Sequence, residues 1–590
     1  MRDRSIGIDG RSGRIAWASS LRAGLSLVLL CLVCYLPGVF DIPTIDRDEA
    51  RFAQASRQMV ESVLLPEDER DPTLHAGGIV VPMVGGKPRI NKPPLVYYLQ
   101  GLSVAVFTWG EPRRDAIWMY RIPGVVCATL SVLLTWRLGL RLFDARAAVL
   151  GAALLAVCPL MVVDAHMSRA DQLLLVTVLA TQALLWKAWG TIGARGVLPV
   201  RDGILLWAAM AIGIMAKGPI TPMVGVLTAV ALAFATGRWS LLWRLRPLTG
   251  IAVVCVVCGP WVYAVGSAVG WGDFVARIVD ETLGRAGEAK EGHFGPPGYH
   301  TVLSAVLLWP GSLLTLAAVG RAWRRGGLWR PASRRGLGAR RAERFLLAWI
   351  VPSWVVFELV MTKLPHYTMP MYPALALLSA RALLVAGSLP GIRSIGMRFG
   401  VRLWGVIGMI LGLGAAAVVA RDLAGLPWYF GIVYVPCAMA AATLFRTFAM
   451  RRFGMDCLGL LGSGMRVAVV LSVVVFQFSL PQARSLWNTE RIMVEVGRVD
   501  PSGTRRLAAA GYHEDSLAFA TRGRIERIGV EQVEAWLDSR PDGLVIVPTA
   551  SIRSMQGVRA LTDGWREPGY NYSNGRRVDL SIVERVRGVP

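Results

Sequence analysis

Charged side chains are scarce in this chain, so the places where they collect are the places to look for chemistry. Of 590 residues, 18% are charged and 54% hydrophobic. The densest collection is Ile45–Met59, where Asp46, Asp48 and Glu49 precede Arg51 and Arg57. It reads as a helix start: Asp46 can cap, and Glu49, three residues on, is the partner of a capping-box variant. Asp48 and Arg51 then share one face, while Phe52 and Met59 share another that can rest on lipid or protein. Acids in a first turn also suit the helix dipole alone. A second collection is Arg89-Ile90-Asn91-Lys92-Pro93-Pro94, whose prolines fix the entry into a following helix and hold Lys92 at its start. A snorkelling lysine beside interfacial Tyr97 and Tyr98 would look the same. Lys217, between two apolar runs and far from any basic cluster, is the most telling single charge. A cation stranded there suits an anionic lipid headgroup. Arg169 and Asp171, after Asp164 and His166, add to the set. So do Asp280, Glu281, Arg285 and His293 in the 270–300 loop, and Lys363, His366 and Tyr367. A lone histidine is usually structural, and His293 enters only as a candidate metal ligand.

These residues need elements to hold them, and the composition names the kind. Lys and Arg number 64 against 40 Asp and Glu, a formal charge of +24. In a soluble protein that excess would point to nucleic acid. Here most arginines form short clusters between long apolar runs, the pattern of cytoplasmic loops in a polytopic membrane protein. Runs of spanning length lie near 21–40, 117–136, 147–163, 172–190, 203–217, 218–236, 248–268, 301–320, 345–361, 368–387, 400–420, 428–446 and 464–481. Segment 93–109 is ambiguous. If it crossed, the later arginine clusters would fall outside, so it is expected to be an interfacial helix. That gives about thirteen spans, with the acidic loop 41–92 on the outer face.

After Leu480 the composition becomes that of a soluble domain. Runs Leu544–Val547 and Val578–Val583 read as strands, with a helix at Val530–Leu537 between strands, an α/β domain. The expected division is 1–92 (cytoplasmic N-terminus, first membrane helix and outer loop), 93–481 (interfacial helix and remaining spans) and 482–590 (periplasmic α/β domain). The polar stretch 66–78 is expected to be a flexible insertion. The pairs Cys31/Cys34 and Cys255/Cys258 have C-x-x-C spacing but fall inside membrane helices, where packing explains them better than metal or redox chemistry.

The charged motifs also carry a resemblance. Asp48-Glu49-Ala50-Arg51-Phe52-Ala53 with Ser56-Arg57-Gln58-Met59, then Lys92–Leu95, Arg121-Ile122-Pro123, Lys217–Pro219, Lys363–Pro373 and Asn571-Tyr572-Ser573-x-Gly575 occur in order along the chain. In that set the chain resembles the GT-C membrane glycosyltransferases, in the polyprenyl-phosphate-sugar-dependent branch. That branch holds the lipid A aminoarabinose transferases and the protein-mannosyltransferase-like enzymes. The resemblance implies an inverting hexosyltransferase of the bacterial cell envelope, working at the periplasmic face of the inner membrane. Its donor would be a sugar on a polyprenyl phosphate, undecaprenyl phosphate in a bacterium, and its acceptor a lipid, glycan or protein. It further implies Asp48 as base with Glu49 beside it as a catalytic partner. Arg51, Lys92 and Lys217 would take the donor phosphate. Arg57, Asn91, Asp171, His293, Lys363 and Tyr367 would line the sugar or headgroup.

Two departures from the family pattern matter. The Glu that precedes Lys-Pro-Pro in the aminoarabinose transferases is Asn91 here, and the aromatic after Arg51 is Phe52 rather than Tyr. The first removes a carboxylate that, with His293, could hold a divalent ion. It argues against a metal cofactor and against an aminoarabinose donor, so a different sugar or acceptor is expected. The rival class is a transporter or lipid flippase. It would explain the spans, but not acids and lone lysines gathered on one face, nor a soluble domain after the last span, and no repeated halves are found.

Overall fold

The computed structural model describes residues 10–284, 295–326, 337–386, 395–422, 427–453, 457–565 and 568–586. His293 and Arg285 lie outside the described residues. The structure is mostly helical. Helix α1 (Gly10–Tyr35) leads through a turn to α2 (Asp48–Leu64), followed by the hairpin β1 (Met83–Val84) and β2 (Lys87–Pro88). Then come α3 (Leu95–Phe107), α4 (Ile117–Leu142), α5 (Ala145–Ala156), α6 (Pro159–Ala165), α7 (Asp171–Arg195), α8 (Val200–Lys217) and α9 (Ile220–Thr236). After the short α10 (Ser240–Arg244) follow α11 (Pro247–Val269), α12 (Trp271–Val279), α13 (Tyr299–Leu307), α14 (Ser312–Gly326) and α15 (Leu337–Leu359). The bundle closes with α16 (Tyr372–Ala386), α17 (Ile395–Asp422), α18 (Pro427–Phe453) and α19 (Cys457–Val473).

Every run read as spanning coincides with helix, but not always with one helix. Among the described residues five helices are long and apolar enough to cross a membrane, or six if α5 and α6, bent by 57°, count as one. The bend falls at Val157–Cys158, where Pro159 takes the first position of α6 and removes a backbone donor from any continuous helix. The run at 301–320 is likewise split, between α13 and α14, around Pro310. Segment 93–109 gives α3, 13 residues long and too short to span. Its Val96 and Tyr97 pack on Phe52 and Met59 of α2, so the apolar face read on α2 rests on protein.

Tight packing is built on small residues. A Cβ at Gly139 would lie 2.8 Å from Leu377 and 2.9 Å from Ala148, so α4, α5 and α16 meet at nearly backbone distance. Gly38, at φ 76°, closes the exit of α1: a Cβ there would sit 1.9 Å from the Phe476 carbonyl oxygen, and its N–H donates to Gln477. Cys31 and Cys34 are buried in the same core, Cys258 is buried and Cys255 exposed, and all eight cysteines are free.

Beyond residue 484 come α20 (Asn488–Val499), α21 (Asp515–Ala520), α22 (Val533–Ser539) and a five-stranded mixed sheet in the order β4-β3-β5-β9-β6. Here β3 (Leu507–Ala510) pairs parallel with β4 (Glu526–Ile528) and β5 (Leu544–Pro548), while β9 (Leu580–Arg585) runs antiparallel to β5 and to β6 (Val558–Ala560). A separate hairpin joins β7 (Gly569–Asn571) to β8 (Arg576–Val578). The two strand runs and the helix read between strands coincide with β5, β9 and α22. The stretch 66–78 is tied down: His75 meets Glu61 at 3.1 Å, Arg70 donates to the Leu65 carbonyl, and Asp71 accepts from the backbone of Thr73 and Leu74.

Candidate functional site

The segment with the densest charge does not start its helix as the sequence predicts. Helix α2 begins at Asp48, and the residue before it, Arg47, sits at φ 60° without a side-chain cap. Asp46 turns away from α2: its carboxylate accepts from Ser516 N–H (2.9 Å) and Ser573 Oγ (3.2 Å). Glu49 does reach back, accepting from Ile45 N–H at 2.7 Å, so half of the capping box forms. The start of α2 is held by tertiary contacts in place of the missing cap.

Glu49 is not available to a substrate, and its expected catalytic role is corrected. It is fully buried and pairs with Arg121, equally buried. Arg121 donates from Nε to Glu49 Oε1 (2.9 Å) and from one terminal nitrogen to Glu49 Oε2 (2.8 Å) and the Pro43 carbonyl. Its other terminal nitrogen donates to the Val39 and Ile42 carbonyls. All five guanidinium donors are used. Glu49 also accepts from Ser168 N–H at 3.0 Å. With this saturation Glu49 fixes the backbone around Asp48 and leaves no oxygen for an acceptor. Arg57 is corrected for the same reason. It is buried, donates to Asp115 (2.7 Å) and the Phe519 carbonyl (2.5 Å), and stacks on the Phe519 ring at 3.7 Å. It joins α2 to the C-terminal layer rather than lining a substrate site.

Asp48 faces the other way and is half-buried. Burial opposes its ionisation, but Arg169, Arg89 and Lys217 outweigh that and hold its carboxyl below the usual carboxylate range. Asp171, at the start of α7, gathers two of those cations and an imidazole: Lys217 Nζ lies 2.5 Å from its Oδ1, Arg169 Nε 4.0 Å from its Oδ2, and His366 Nε2 3.7 Å from its Oδ1. Arg169 is also paired with Asp164. Burial, reinforced by the neighbouring cations, pushes His366 down to about 3, so it is a neutral imidazole at neutral pH. The ends of α2, α6, α7 and α8 and the segment before α16 thus bring Asp48, Asp164, Arg169, Asp171, Lys217 and His366 together from distant parts of the chain.

The remaining expected residues scatter around this centre. Lys92 is paired with Glu281, and Asn91 is exposed. Arg51 donates to Asp515 at 2.6 Å and would have to leave that partner to meet a donor phosphate. Lys363 is buried with its Nζ donating to the Val360 carbonyl. Tyr367 packs its ring near His366, His300 and Phe357. Arg89 and His366, which the sequence places in the Arg89–Pro94 and Lys363–Tyr367 collections without a role, belong to the site: Arg89 is three residues before Lys92, and His366 stands beside Tyr367. Among the described residues no group of three or more His, Cys, Asp or Glu is arranged to hold a metal ion, and Glu281, beside the Asn91 position, is engaged by Lys92.

Such a centre, with a carboxylate kept ionised among cations at the ends of apolar helices, can bind an anion and accept a proton beside it. Known proteins point the same way. Residues 91–263 match the family model described as dolichyl-phosphate-mannose-protein mannosyltransferase. The undecaprenyl phosphate-α-4-amino-4-deoxy-L-arabinose arabinosyl transferase of Edwardsiella ictaluri is 25% identical over 384 residues, 65% of this chain and 61% of that protein. The enzyme of the same name from Pseudomonas aeruginosa PAO1 is 29% identical over 345 residues, 57% of this chain and 55% of that protein. Both matches take in less than two thirds of the relative. In three dimensions the chain resembles ArnT from Cupriavidus metallidurans bound to undecaprenyl phosphate, with a TM-score of 0.70 at 17% identity over 97% of this chain and 98% of that one. It also resembles the apo oligosaccharyltransferase of Archaeoglobus fulgidus, with a TM-score of 0.52 at 12% identity over 90% of this chain and 69% of that one. The chain shares the fold of these two solved structures.

Proposed function

We propose that this protein transfers a sugar from a polyprenyl phosphate, undecaprenyl phosphate in a bacterium, to a lipid, glycan or protein acceptor at the outer face of the cytoplasmic membrane. One observation carries the reading: Lys217, Arg169 and His366 converge on Asp171 at the ends of apolar helices, beside an Asp48 carboxyl that Arg169 and the neighbouring cations hold below the usual range. In this reading the phosphate of the donor enters among Lys217, Arg89 and Lys92, while Arg51 stays on Asp515. The cations stabilise the departing phosphate monoester, which gains charge as the glycosidic bond breaks. Asp48 takes the acceptor hydroxyl proton as that oxygen attacks the anomeric carbon from the opposite side, so the configuration inverts. Asp171 positions Lys217, and neutral His366 offers a hydrogen bond to sugar or headgroup. Asn91 adjoins Lys92 in the chain, and Tyr367 and Lys363 belong to the segment that carries His366.

The same reading assigns about thirteen spans, the α2 side to the periplasm, and residues 482–590 to a periplasmic domain. Asn91, in place of a carboxylate, favours a sugar other than aminoarabinose and takes away one ligand that a divalent ion would need. Transport is the weaker reading, since the charges collect at helix ends on one side rather than across a midplane path.

The test is reconstitution of the full chain in liposomes with labelled polyprenyl-phosphate hexoses and pentoses and candidate acceptors. Consumption of one donor with inverted linkage supports the reading; donor crossing the bilayer unchanged replaces it with transport. In a background lacking Cys255, cysteines placed at Asp71 and Arg146 should label from opposite sides. Labelling from one side would overturn the assigned topology.

A further inference from the structure

Arg47 holds φ 60° with ψ −111°, a backbone conformation that a residue with a Cβ rarely adopts, so something must hold it. The holding contacts come from the far end of the chain. Asp46 N–H donates to Tyr572 Oη at 2.7 Å, Ser573 Oγ donates to Asp46 Oδ2, and Arg47 donates to the Ser573 carbonyl at 2.5 Å. Ser573 is itself set by its N–H donating to Asn571 Oδ1. Two adjacent residues of α21 complete the clamp: Ser516 N–H holds Asp46 and the Asp515 carboxylate holds Arg51. Asp48 therefore lies between two anchors, one on each side of it along α2, both supplied from more than 460 residues away in sequence.

We propose that Tyr572, Ser573, Asp515 and Ser516 are positioning residues, which through Asp46, Arg47 and Arg51 set where the Asp48 carboxylate stands relative to Arg89, Arg169 and Lys217. The inference rests on the reading of Asp48 as the base. It gives the Asn-Tyr-Ser-x-Gly hairpin between β7 and β8, remote in sequence from every membrane motif, a part in the transfer.

Glu514 supplies a second signature. Asn571 Nδ2 donates to its Oε1, it lines one cavity with Asp46, and burial together with the Asp46 charge pushes it up to about 8. Below that pH it is protonated and neutral beside Asp46; above it two carboxylates oppose each other. The other titratable or charged groups around the pair are Arg47, Tyr512, Tyr572 and Glu490. The clamp therefore loosens as pH rises through about 8.

The experiment measures kcat, donor KM and the pH profile of the full chain in liposomes for Tyr572→Phe, Asp515→Asn, Glu514→Gln and Asp48→Asn. Tyr572→Phe and Asp515→Asn should each lower kcat about tenfold with donor KM within about twofold. They should also move the acid limb to higher pH, because Asp48 drifts from the cations that depress it. Glu514→Gln should keep kcat at neutral pH and remove the alkaline decline. A fall in kcat with an unmoved acid limb would make these residues structural only. Wild-type kinetics in both clamp variants beside an inactive Asp48→Asn would overturn the positioning role and leave the transferase reading intact. An active Asp48→Asn would remove the base on which the inference rests.

Discussion

Asp48 and Glu49 are adjacent acids in the first turn of one helix, yet they belong to opposite regions of the molecule. Glu49 points inward to Arg121, where each donor and acceptor of the pair is used and neither side chain touches solvent. Asp48 points to a half-open centre, where Arg89, Arg169 and Lys217 act on it from a distance. Both acids have arginine or lysine for neighbours. They differ in saturation: a carboxylate with every lone pair taken fixes backbone, while one surrounded by charge but still open can receive a proton. The pairs Arg57–Asp115 and Arg522–Asp115 on the far side of α2 repeat the closed pattern.

The contrast can be broken by substitution, and the largest effect is expected at the open acid. Asp48→Asn should lower transfer about 10²–10⁴-fold while leaving the melting temperature unchanged, read by single-turnover kinetics beside thermal unfolding in detergent. Arg121→Met should do the reverse. It strands Glu49 in the interior and costs about 3–5 kcal/mol of stability, read as a lower melting temperature and loss of folded yield. If Arg121→Met were as stable as the parent, the closed region would not be the frame assumed here. Lys217→Ala should cost about 1.5–3 kcal/mol of donor binding, seen as a rise in donor KM of about ten- to hundredfold.

The pH profile sharpens the same comparison with a smaller effect. Asp48 must be ionised to act, and its cations depress it, so the acid limb of kcat/KM should lie below the ordinary aspartate value of about 3.9. Removing Lys217 should raise that limb, whereas Arg57→Lys, on the closed side, should leave it in place. An acid limb near 6 would mean that burial, not the cations, dominates at Asp48.

Much of this was legible in the linear chain because its signals are local. Apolar runs interrupted by arginine clusters announce membrane helices, since an uncovered charge in hydrocarbon is costly. The place of α3 off the spanning set follows from the sidedness of the arginine clusters, and the short apolar runs that became β5 and β9 follow from their length and composition. The stranded Lys217 and the acids of α2 pointed to the site for the same reason. The Asp46 cap failed because a helix cap competes with tertiary partners, and here Ser516 and Ser573 win.

The sequence by itself determined that apolar helices dominate the chain, which stretches form them, and where charged residues collect beside them. Only the tertiary structure decided which of two neighbouring acids is open, that Arg57 and Glu49 are framework, and that the chain's last hundred residues grip the start of α2. The physical reason is that hydrogen-bond saturation and the field of several distant cations depend on contacts between residues hundreds of positions apart. No local pattern of residue types encodes those contacts.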